Sequence, residues 1–564
     1  MQARGNSDIN GNAILTRLQY WSLLSLIFIA GAAVRLYRIA DQVVLDDEWH
    51  ALNAVQYHDF GWIFTHFGGA DHSIPLALLY EFQYHITGLN EILMRWPMLL
   101  AGCVALLVVP HLLRHWLNRP ERLMLAALLA ISPLLIYYSR FARPYALLVL
   151  LEPCALLMAW HWWKSKQLKY GLAWVLLASL SAWLNTPALI LVTAPFAWFG
   201  ILATKQAVKS RDWSALKGLV AIGMLMLVLF AALLGPPLST QAGAIMSKAG
   251  QHFINRETLP WALSLASGSG HLWVYAPLGF LSLLGAAIAY RRDREFGFYM
   301  LVTCILAILV LIVTGAAFAL HGNVFLRYMI GLVPFFLGCV AVGLVYISTQ
   351  IVSRTGLPVA MNTLSLTAIT VILVMTGPIP DWPLRNNQFV THQNYHFHYN
   401  WEHNLYTQAM KDWYQAEPFY AEIAANHDKG EAIIVEAPWH MASYSNPINL
   451  QQEVHGQRVK IGFINGVCAG PLFGELDIGQ PGMKFRNFVY LQELLDGTQT
   501  ADYLVLRRKG MPKMARVINM DFNQCEQAVR AKFGEPWRES EFALVFKTDE
   551  VAKTKPRLKI RAKL

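Results

Sequence analysis

The stretch QYWSLLSLIFIAGAAVRLYRIADQVVLDDEWHALNAV, residues 19–55, decides the class of fold, because a long apolar run passes directly into an acidic loop. A membrane-spanning helix needs about 20 mostly apolar residues to cross roughly 30 Å of hydrocarbon, and residues 19–39 meet that requirement. The loop holds three adjacent carboxylates, Asp46, Asp47 and Glu48. Like charges repel one another, so this cluster at the rim of a membrane segment indicates a function.

The composition of the whole chain agrees with membrane insertion. Of its 564 residues, 55% are hydrophobic and 15% are charged, and the mean hydropathy is +0.35, outside the balance of soluble proteins. We expect about eleven crossings, the first being a retained helix rather than a cleaved signal peptide. The runs lie near 19–39, 93–113, 123–139, 144–163, 170–185, 186–204, 216–236, 272–290, 297–320, 328–348 and 359–379.

Lys and Arg in the short loops predict the orientation, because positive charge is retained on the cytoplasmic side. The basic loops, which we therefore place inside, are 114–122, 164–169, 205–217 and 291–294. The alternate loops, which then face outward, are 40–92, 140–145, 237–271 and 321–327. Counting residues 74–88 as a full crossing would invert every later loop, so we expect a re-entrant or interfacial helix there.

Beyond residue 380 the chain has the composition of a soluble domain, with nearly balanced acidic and basic residues. We expect a transmembrane domain at 1–379 and an extracytoplasmic α/β domain at 380–564, in which short β-rich runs alternate with helix-like runs. The β-rich runs are EAIIVEA (431–437), RVKIGFI (458–464), DYLVLRR (502–508) and EFALVFK (541–547). The helix-like runs are FVYLQELLDG (488–497) and DFNQCEQAVRAKFG (521–534).

Two features of this domain stay open at the level of sequence. An oxidising outer compartment allows Cys468 and Cys525 to pair, but spacing alone does not establish the geometry. The basic tail at 553–563 either touches anionic lipid headgroups or is a solvated terminus. A nucleic-acid partner is not indicated by the net charge of +10, because the excess charge lies in the loops that set topology.

A carboxylate cluster in an outward loop suits group transfer at the membrane surface. Transporters bury their acidic residues near the bilayer midplane, whereas these lie in a loop. Such a carboxylate can deprotonate an acceptor hydroxyl or bind a hard divalent cation. Arg140 and Arg143 in SRFARPY and Arg327 in FLRYM lie in outer turns, where they suit a phosphate leaving group. Arginine at a helix end also simply snorkels to headgroups, so both readings stand.

The opening stretch resembles the first outer loop of membrane glycosyltransferases that use polyprenyl-phosphate sugars, in which an Asp-Glu pair follows an arginine-containing helix end. Similar motifs follow in the same order, and together they cover most of residues 30–340. They resemble a His-Pro-Pro-Leu segment running into Arg-x-Pro, an Ala-Arg-x-Tyr turn and an Arg-Tyr…Pro turn. The matching stretches are DHSIPLALLYEFQYHITGLNEILMRWPMLLAG (71–102), ISPLLIYYSRFARPYALLVLLEPCALL (131–157) and FLRYMIGLVPFF (325–336).

The pattern is closest to the protein O-mannosyltransferase-like and aminoarabinose-transferase-like enzymes. The resemblance implies an all-α polytopic membrane bundle of the GT-C type, with about eleven to thirteen transmembrane helices and a C-terminal α/β domain. It also implies an inverting transfer of a monosaccharide from a polyprenyl-phosphate donor to a cell-envelope acceptor, at the outer face of a bacterial inner membrane. A transporter of lipid-linked sugars or glycans is the alternative, and it requires charges or broken helices at mid-membrane.

Carried over residue by residue, the resemblance makes Asp47 the catalytic base and Glu48 its neighbour, which orients it or shares a cation. Asp46 is an additional carboxylate, so either Asp is a candidate base. The donor phosphate is expected to face Arg327 and Tyr328 on one turn, and Arg140, Arg143 and Tyr145 on the other. At His72 the usual double proline is replaced by Ser-Ile-Pro, and a divalent metal held by Asp47, Glu48 and His72 stays an open expectation.

Overall fold

The computed structural model describes most of the chain. The described ranges are 16–37, 39–40, 44, 47–68, 73–247, 249–250, 253–268, 272–316, 319–355, 360–376, 379, 415–438, 448–463, 466–468, 485–508 and 522–548. Asp46, His72 and the basic tail, all named above, lie outside these ranges.

The first part of the chain is helical throughout its described elements. The helices are α1 (Arg17–Leu36), α2 (Glu48–Tyr57), α3 (Phe60–Thr65), α4 (Ile74–Thr87), α5 (Glu91–Leu112), α6 (Arg119–Ile131), α7 (Pro133–Ser139), α8 (Tyr145–Ser165), α9 (Leu168–Leu184), α10 (Ala188–Ser210), α11 (Ser214–Met246), α12 (Thr258–Ser267), α13 (Leu272–Arg292), α14 (Arg294–Thr314), α15 (Gly322–Tyr328), α16 (Val333–Thr355) and α17 (Ala360–Met375).

Eight of the described helices are long and apolar enough to cross a membrane, namely α1, α5, α8, α10, α11, α13, α14 and α16. The pair α6 and α7, bent by 61°, makes a ninth if it counts as one span. The apolar helices α9 and α17 are shorter or less continuous. Every run expected from the sequence therefore falls on a helix. By contrast α4 has only 14 residues, fewer than the roughly 20 that a crossing needs, in line with the expected interfacial helix.

Three of the four basic loops, 114–122, 164–169 and 291–294, meet at one end of the bundle, here called the basic end. Arg292 lies 2.8 Å from Glu121, and the Trp116 indole donates to Asp293 at 3.0 Å. A further ion pair at this end joins Lys164 to Glu295. The opposite end, called the Asp47 end, holds α2, α3, α4 and α15. Long helices such as α5 and α8 run from one end to the other. Successive loops therefore alternate between the two ends, as expected from the sequence.

The break between α6 and α7 is stabilised by a buried arginine from α1. Pro133 lacks the N–H that would continue α6, so carbonyls of the last turn of α6 need other donors. Arg35, 1% exposed, donates to the carbonyls of Leu129 at 3.0 Å and Ala130 at 3.1 Å and to Ser139 Oγ at 3.1 Å. Because its donors are satisfied by backbone, this charge joins α1 to the broken span.

The C-terminal domain, whose described part lies within 415–548, contains a six-stranded sheet of order β3-β2-β1-β4-β6-β5. Its strands are β1 (Ile433–Ala437), β2 (Arg458–Phe463), β3 (Phe488–Tyr490), β4 (Tyr503–Arg507), β5 (Arg538–Glu539) and β6 (Ala543–Lys547). The first four run parallel, and β5 and β6 are antiparallel additions. The helices are α18 (Pro418–Asn426), α19 (Ile448–His455), α20 (Leu491–Asp496) and α21 (Phe522–Phe533).

The four β-rich runs read from the sequence are all strands, and the predicted α/β layer is confirmed. One helix-like run is split, because its first three residues, Phe488–Tyr490, pair with β2 as an edge strand before α20 begins. Cys468 and Cys525 form a disulfide, and both are fully buried. It joins the short helical turn after β2 to α21, across one face of the sheet.

Candidate active site

The carboxylate of Asp47 lies at the amino end of α2 and is almost buried, with 6% of the residue exposed. One oxygen, Oδ2, accepts a hydrogen bond from Arg327 Nη1 at 2.8 Å. The other, Oδ1, lies 3.5 Å from His50 Nε2, one helical turn further along α2. Residues that are 280 positions apart in sequence therefore form the centre of the Asp47 end.

The electrostatics of this pair keep Asp47 ionised. Burial alone would raise the pKa of Asp47, but the Arg327 guanidinium, the hydrogen bond from His50 and the charge of Arg143 outweigh it and hold the pKa well below its usual range. Burial likewise acts to lower the pKa of Arg327, and Tyr145 and Asp47 more than offset it. The site thus contains a charged carboxylate at neutral pH and more positive than negative charge around it.

Arg143 supplies the excess positive charge. It is 6% exposed, and its Nε and Nη1 atoms have no hydrogen-bond partner among the described residues. Burial acts to lower its pKa, but Tyr145 and Asp47 raise it overall, so the group stays protonated. A buried guanidinium with unsatisfied donors is costly, and it is the arrangement expected of a group that binds an anionic ligand.

Glu48 has different hydrogen-bond partners from Asp47. It is fully buried, and Arg95 of α5 binds it through two bonds, Nε to Oε1 at 2.9 Å and Nη2 to Oε2 at 2.7 Å. Its Oε1 also accepts the backbone N–H of Ala142 at 2.7 Å. Glu48 therefore joins α2 to α5 and to the turn that carries Arg143, instead of offering free oxygens to a cation.

The turn after α7 is held at both ends, which fixes the direction of Arg143. Arg140 Nη1 donates to the carbonyls of Val34, Arg35 and Tyr37 at 3.2, 3.0 and 2.6 Å. These carbonyls end α1, where intrahelical donors run out. The structure thus places Arg140 as a cap of α1, in contrast to the donor-binding role expected from the sequence, and leaves Arg143 as the arginine of this turn that faces Asp47.

Two tyrosines of the expected site line the same region. The Arg327 guanidinium lies over the Tyr145 ring, 5.3 Å from its centroid, and Tyr145 packs against Tyr138 at 4.6 Å between centroids. Tyr328 is half-buried and contributes to the raised pKa of Arg327. The aromatic ring under Arg327 favours its charged form and restricts where its guanidinium can lie.

The position of the Arg327 turn depends on a buried glutamate in α8. A Cβ built at Gly331 would lie 2.1 Å from Glu152 Oε2, so no side chain fits at 331 while Glu152 keeps its place. Glu152 is 1% exposed, and Oε2 has no partner within the described part of the chain. Glu152 therefore packs directly against the backbone at Gly331, four residues after Arg327.

Sequence reasoning missed three residues of the site. Arg95 had a signal, since it is the arginine of the Arg-x-Pro stretch, but only the fold brings it to Glu48. His50 had a weaker signal, its position three residues after Asp47 on a helix. Arg35 could have been flagged as a charge inside an apolar run. None of these signals identifies the partner.

The expected metal ligands do not converge in the described structure. Glu48 is bound by Arg95 and Ala142, Asp47 by Arg327, and no group of three or more His, Cys, Asp or Glu side chains suited to a metal occurs within the described ranges. Asp46 and His72 lie outside those ranges.

Comparison with known proteins gives structural likenesses only. No family model matches the chain, and no curated protein matches it. A similar structure is ArnT from Cupriavidus metallidurans bound to undecaprenyl phosphate, at 13% identity and a TM-score of 0.44, covering 94% of this chain and 98% of that one.

Two further similar structures come from other organisms. The archaeal oligosaccharyltransferase AglB from Archaeoglobus fulgidus, in complex with an inhibitory peptide and a dolichol-phosphate, is 13% identical with a TM-score of 0.41, over 86% of this chain and 69% of that one. The arabinosyltransferase EmbB from Mycobacterium smegmatis is 13% identical with a TM-score of 0.40, over 72% and 44%. At these identities and TM-scores the likenesses assign neither a family nor an activity to this chain.

Proposed function

We propose that this chain is an integral-membrane glycosyltransferase that moves a monosaccharide from a polyprenyl-phosphate donor to a cell-envelope acceptor. The observation that carries the proposal is the pairing of an ionised, buried carboxylate, Asp47, with two arginines, one of which, Arg143, has donors that no described residue satisfies. A base beside a buried arginine with donors available to an anion suits displacement at an anomeric carbon with phosphate as the leaving group.

In the proposed step the acceptor hydroxyl gives its proton to Asp47, and its oxygen attacks the anomeric carbon of the donor sugar. The bond from that carbon to the phosphate oxygen breaks, and the lipid phosphate departs with the electron pair. A single displacement of this kind inverts the anomeric configuration. Arg327 and Arg143 stabilise the charge that develops on the phosphate, which is the largest contribution expected of the protein.

The same arginines link donor binding to the basicity of Asp47. With no other anion present, Arg327 holds the pKa of Asp47 well below its usual range after outweighing burial, which makes the carboxylate a weak base. A donor phosphate would compete for Arg327 and Arg143 and so let burial raise the pKa of Asp47 toward a useful value. Proton transfer is thereby favoured only when the donor is bound.

The remaining residues have supporting roles in this proposal. Tyr145 and Tyr328 hold Arg327, and Glu48 positions the turn of Arg143. Asp46 stays the second candidate base, and His72 a candidate contact to substrate. We assign no step to a divalent cation, because both oxygens of Glu48 are already hydrogen-bonded by Arg95.

In this proposal the Asp47 end faces outward from a bacterial inner membrane, because the opposite end carries basic loops and positive charge is retained on the cytoplasmic side. The C-terminal domain then lies on the same side as the site. The donor's lipid tail would lie between helices of the bundle, and the acceptor would be a lipopolysaccharide sugar such as lipid A, a glycan or a protein hydroxyl reached from outside.

The test is transfer by the purified chain in liposomes. Polyprenyl-phosphate monosaccharides with a radiolabelled sugar are incubated with a cell-envelope fraction as acceptor, and free polyprenyl phosphate and labelled acceptor are measured. We expect both products from the native chain and neither from Asp47→Asn, with unchanged folding. Asp59→Asn, the same substitution at an exposed helix cap of the same end, is the matched control and should transfer normally.

Normal turnover by Asp47→Asn would contradict the proposed base. The assay also separates transfer from transport, because a transporter of lipid-linked sugars moves its cargo without releasing polyprenyl phosphate. Movement of intact donor across the liposome membrane without phosphate release would therefore favour the alternative.

A further inference from the structure

The C-terminal domain is anchored to the membrane bundle by one buried carboxylate. Glu91, the first residue of α5 and 2% exposed, accepts backbone N–H bonds from Arg486 at 2.8 Å and Asn487 at 3.1 Å, both at the single oxygen Oε1. The Asn487 amide also donates to the carbonyl of Ala40 at 3.4 Å. The turn just before β3 therefore lies directly on the amino end of α5.

Apolar packing surrounds these hydrogen bonds. Phe485 and Phe488 stack at 4.4 Å between ring centroids, and with Tyr490 they pack against the same hydrophobic core as the bundle helices. Val459 and Ile461 of β2 are buried in that core as well. The edge of the sheet formed by β2 and β3 is thus the docking edge of the C-terminal domain.

Glu91 lies one helical turn from Arg95, whose ion pair with Glu48 holds the candidate site. Glu91 and Arg95 are four residues apart on α5, and residues with that spacing share a helix face. Arg95 binds Glu48 through two bonds, and Glu48 accepts the N–H of Ala142, which is followed by Arg143. The turn at 486–487 is therefore connected to Arg143 through one turn of α5, the Arg95–Glu48 ion pair and the hydrogen bond of the Ala142 amide.

We propose that Glu91 is a positioning residue through which the C-terminal domain holds α5, and with it the Arg95–Glu48 pair and the Ala142–Arg143 turn, in the geometry required for transfer. The C-terminal domain is on this view part of the catalytic unit and not only a module for the acceptor. The activity arm of the test rests on the proposed glycosyl transfer, whereas the structural arm does not.

The first experiment uses the fact that one oxygen accepts both bonds. Glu91→Gln keeps an acceptor oxygen at that place, whereas Glu91→Leu removes it with little change in length. We expect kcat for transfer to fall roughly 10- to 100-fold in Glu91→Leu, as a shift of about 1 Å in a reacting geometry can cause, and to stay near the native value in Glu91→Gln. Equal loss in both variants would mean that the charge of Glu91 matters rather than its hydrogen bonds, and would overturn the proposal.

A second pair of variants changes the donors instead of the acceptor. The side chain of Arg486 is exposed, and only its backbone N–H contacts Glu91. Arg486→Ala therefore keeps the bond, and Arg486→Pro removes it because proline has no N–H. We expect the alanine variant to transfer normally and the proline variant to lose activity in the direction of Glu91→Leu. Normal transfer by the proline variant would contradict the proposal.

The structural arm is hydrogen–deuterium exchange on the intact chain in lipid nanodiscs. A purely local role for Glu91 predicts faster exchange only around 485–490 in Glu91→Leu. The proposed coupling also predicts faster exchange at 141–145, where the Ala142 amide is bound by Glu48, with the basic end unchanged. Unchanged exchange at 141–145 in Glu91→Leu overturns the coupling whatever the activity. Faster exchange there in Glu91→Leu, together with no sugar transfer by the native chain, would refute the proposed function alone.

Discussion

Two buried carboxylate–arginine sites of this protein differ in how completely they are satisfied. In the C-terminal domain Arg507 binds Glu436 through Nε at 3.1 Å and Nη2 at 2.9 Å, and Tyr420 donates to the other oxygen of Glu436 at 2.6 Å. At the Asp47 end the carboxylate holds Arg327, but Arg143 beside it has two nitrogens without partners in the described structure.

The difference separates a structural charge from a functional one. Glu436 lies within β1 and Arg507 ends β4, so the ion pair joins two adjacent strands and needs nothing from outside. Among the described residues the Asp47 site has more positive than negative charge in a low-dielectric place, an arrangement that suits an anionic ligand. Each prediction below changes one member of a site and asks whether stability or transfer responds.

The largest expected effect is on the stability of the C-terminal domain, in which Arg507 and Glu436 form a buried ion pair. Arg507→Met leaves Glu436 buried without its cation, and breaking a buried pair in this way costs about 3–5 kcal/mol in free energy of unfolding. Thermal unfolding of the purified chain measures the change. Arg538→Met, which breaks an exposed pair with Glu422 in the same domain, is the matched control and should change little. Similar unfolding for the two variants would break the comparison.

The second effect is on the rate of sugar transfer at the Asp47 end, where Arg143 has unsatisfied donors. Arg143→Met should lower the rate of transfer roughly 100-fold, the typical cost of one lost donor to a developing oxyanion. Its thermal stability should be unchanged or higher, because the unsatisfied buried charge is gone. Arg140→Met is the contrasting variant, and it should lose stability, since Arg140 binds three carbonyls. Loss of stability in Arg143→Met would show that this arginine is structural.

A third effect is the pH dependence of the stability of the C-terminal domain. Burial lowers the pKa of His455, next to Tyr420, from 6.5 to about 3. Below the unfolded value the unfolded chain binds the additional proton, so stability is present above about pH 6.5 and falls as the pH drops toward the folded value. The loss should be roughly 2 kcal/mol at pH 5. Unfolding scans at pH 7 and pH 5 measure it, and His455→Gln should show less of the difference.

The smallest effect is a change in the shape of the pH profile of transfer. Arg327 is the main group that lowers the pKa of Asp47 against burial. In Arg327→Gln burial gains weight, the pKa of Asp47 rises, and proton uptake on acidification begins at a higher pH. The acid limb of kcat/KM, which reports the free enzyme, should therefore move to higher pH in whatever activity remains. An acid limb at the same pH in Arg327→Gln and in the native chain would contradict the claim that Arg327 controls the pKa of Asp47.

The fold was predictable where the signal is local. Long apolar runs predict helices regardless of context, because the hydrocarbon core leaves few other solutions for the backbone. The same holds for strands such as β1 and β4, whose apolar runs are typical of a buried parallel sheet. The prediction was wrong only in part at Phe488–Tyr490, which have helix-forming neighbours but pair with β2, since edge pairing is decided by the tertiary structure.

The site was predictable by residue type but not by partner. Asp47, Arg143 and Arg327 are brought together as the motifs suggested, and their catalytic roles stay proposals. Arg140 lies three positions before Arg143 within SRFARPY, and nothing local distinguishes the one that caps α1 from the one that faces Asp47. Glu91 is as ordinary in sequence as other charges at a helix start, and the Arg-x-Pro motif marks Arg95 without identifying Glu48 as its partner.

The sequence by itself determined that this is a multi-helix membrane protein with an α/β domain at its C-terminus, and which charges gather at which end. Hydrophobic length and loop charge act locally and can be read residue by residue. Only the tertiary structure decided that Arg95 binds Glu48, that Arg143 lies near Asp47 with two nitrogens that no described residue satisfies, and that Glu91 joins the two domains. Whether a buried charge is satisfied depends on groups 47 to 395 residues away, and local sequence carries no record of them.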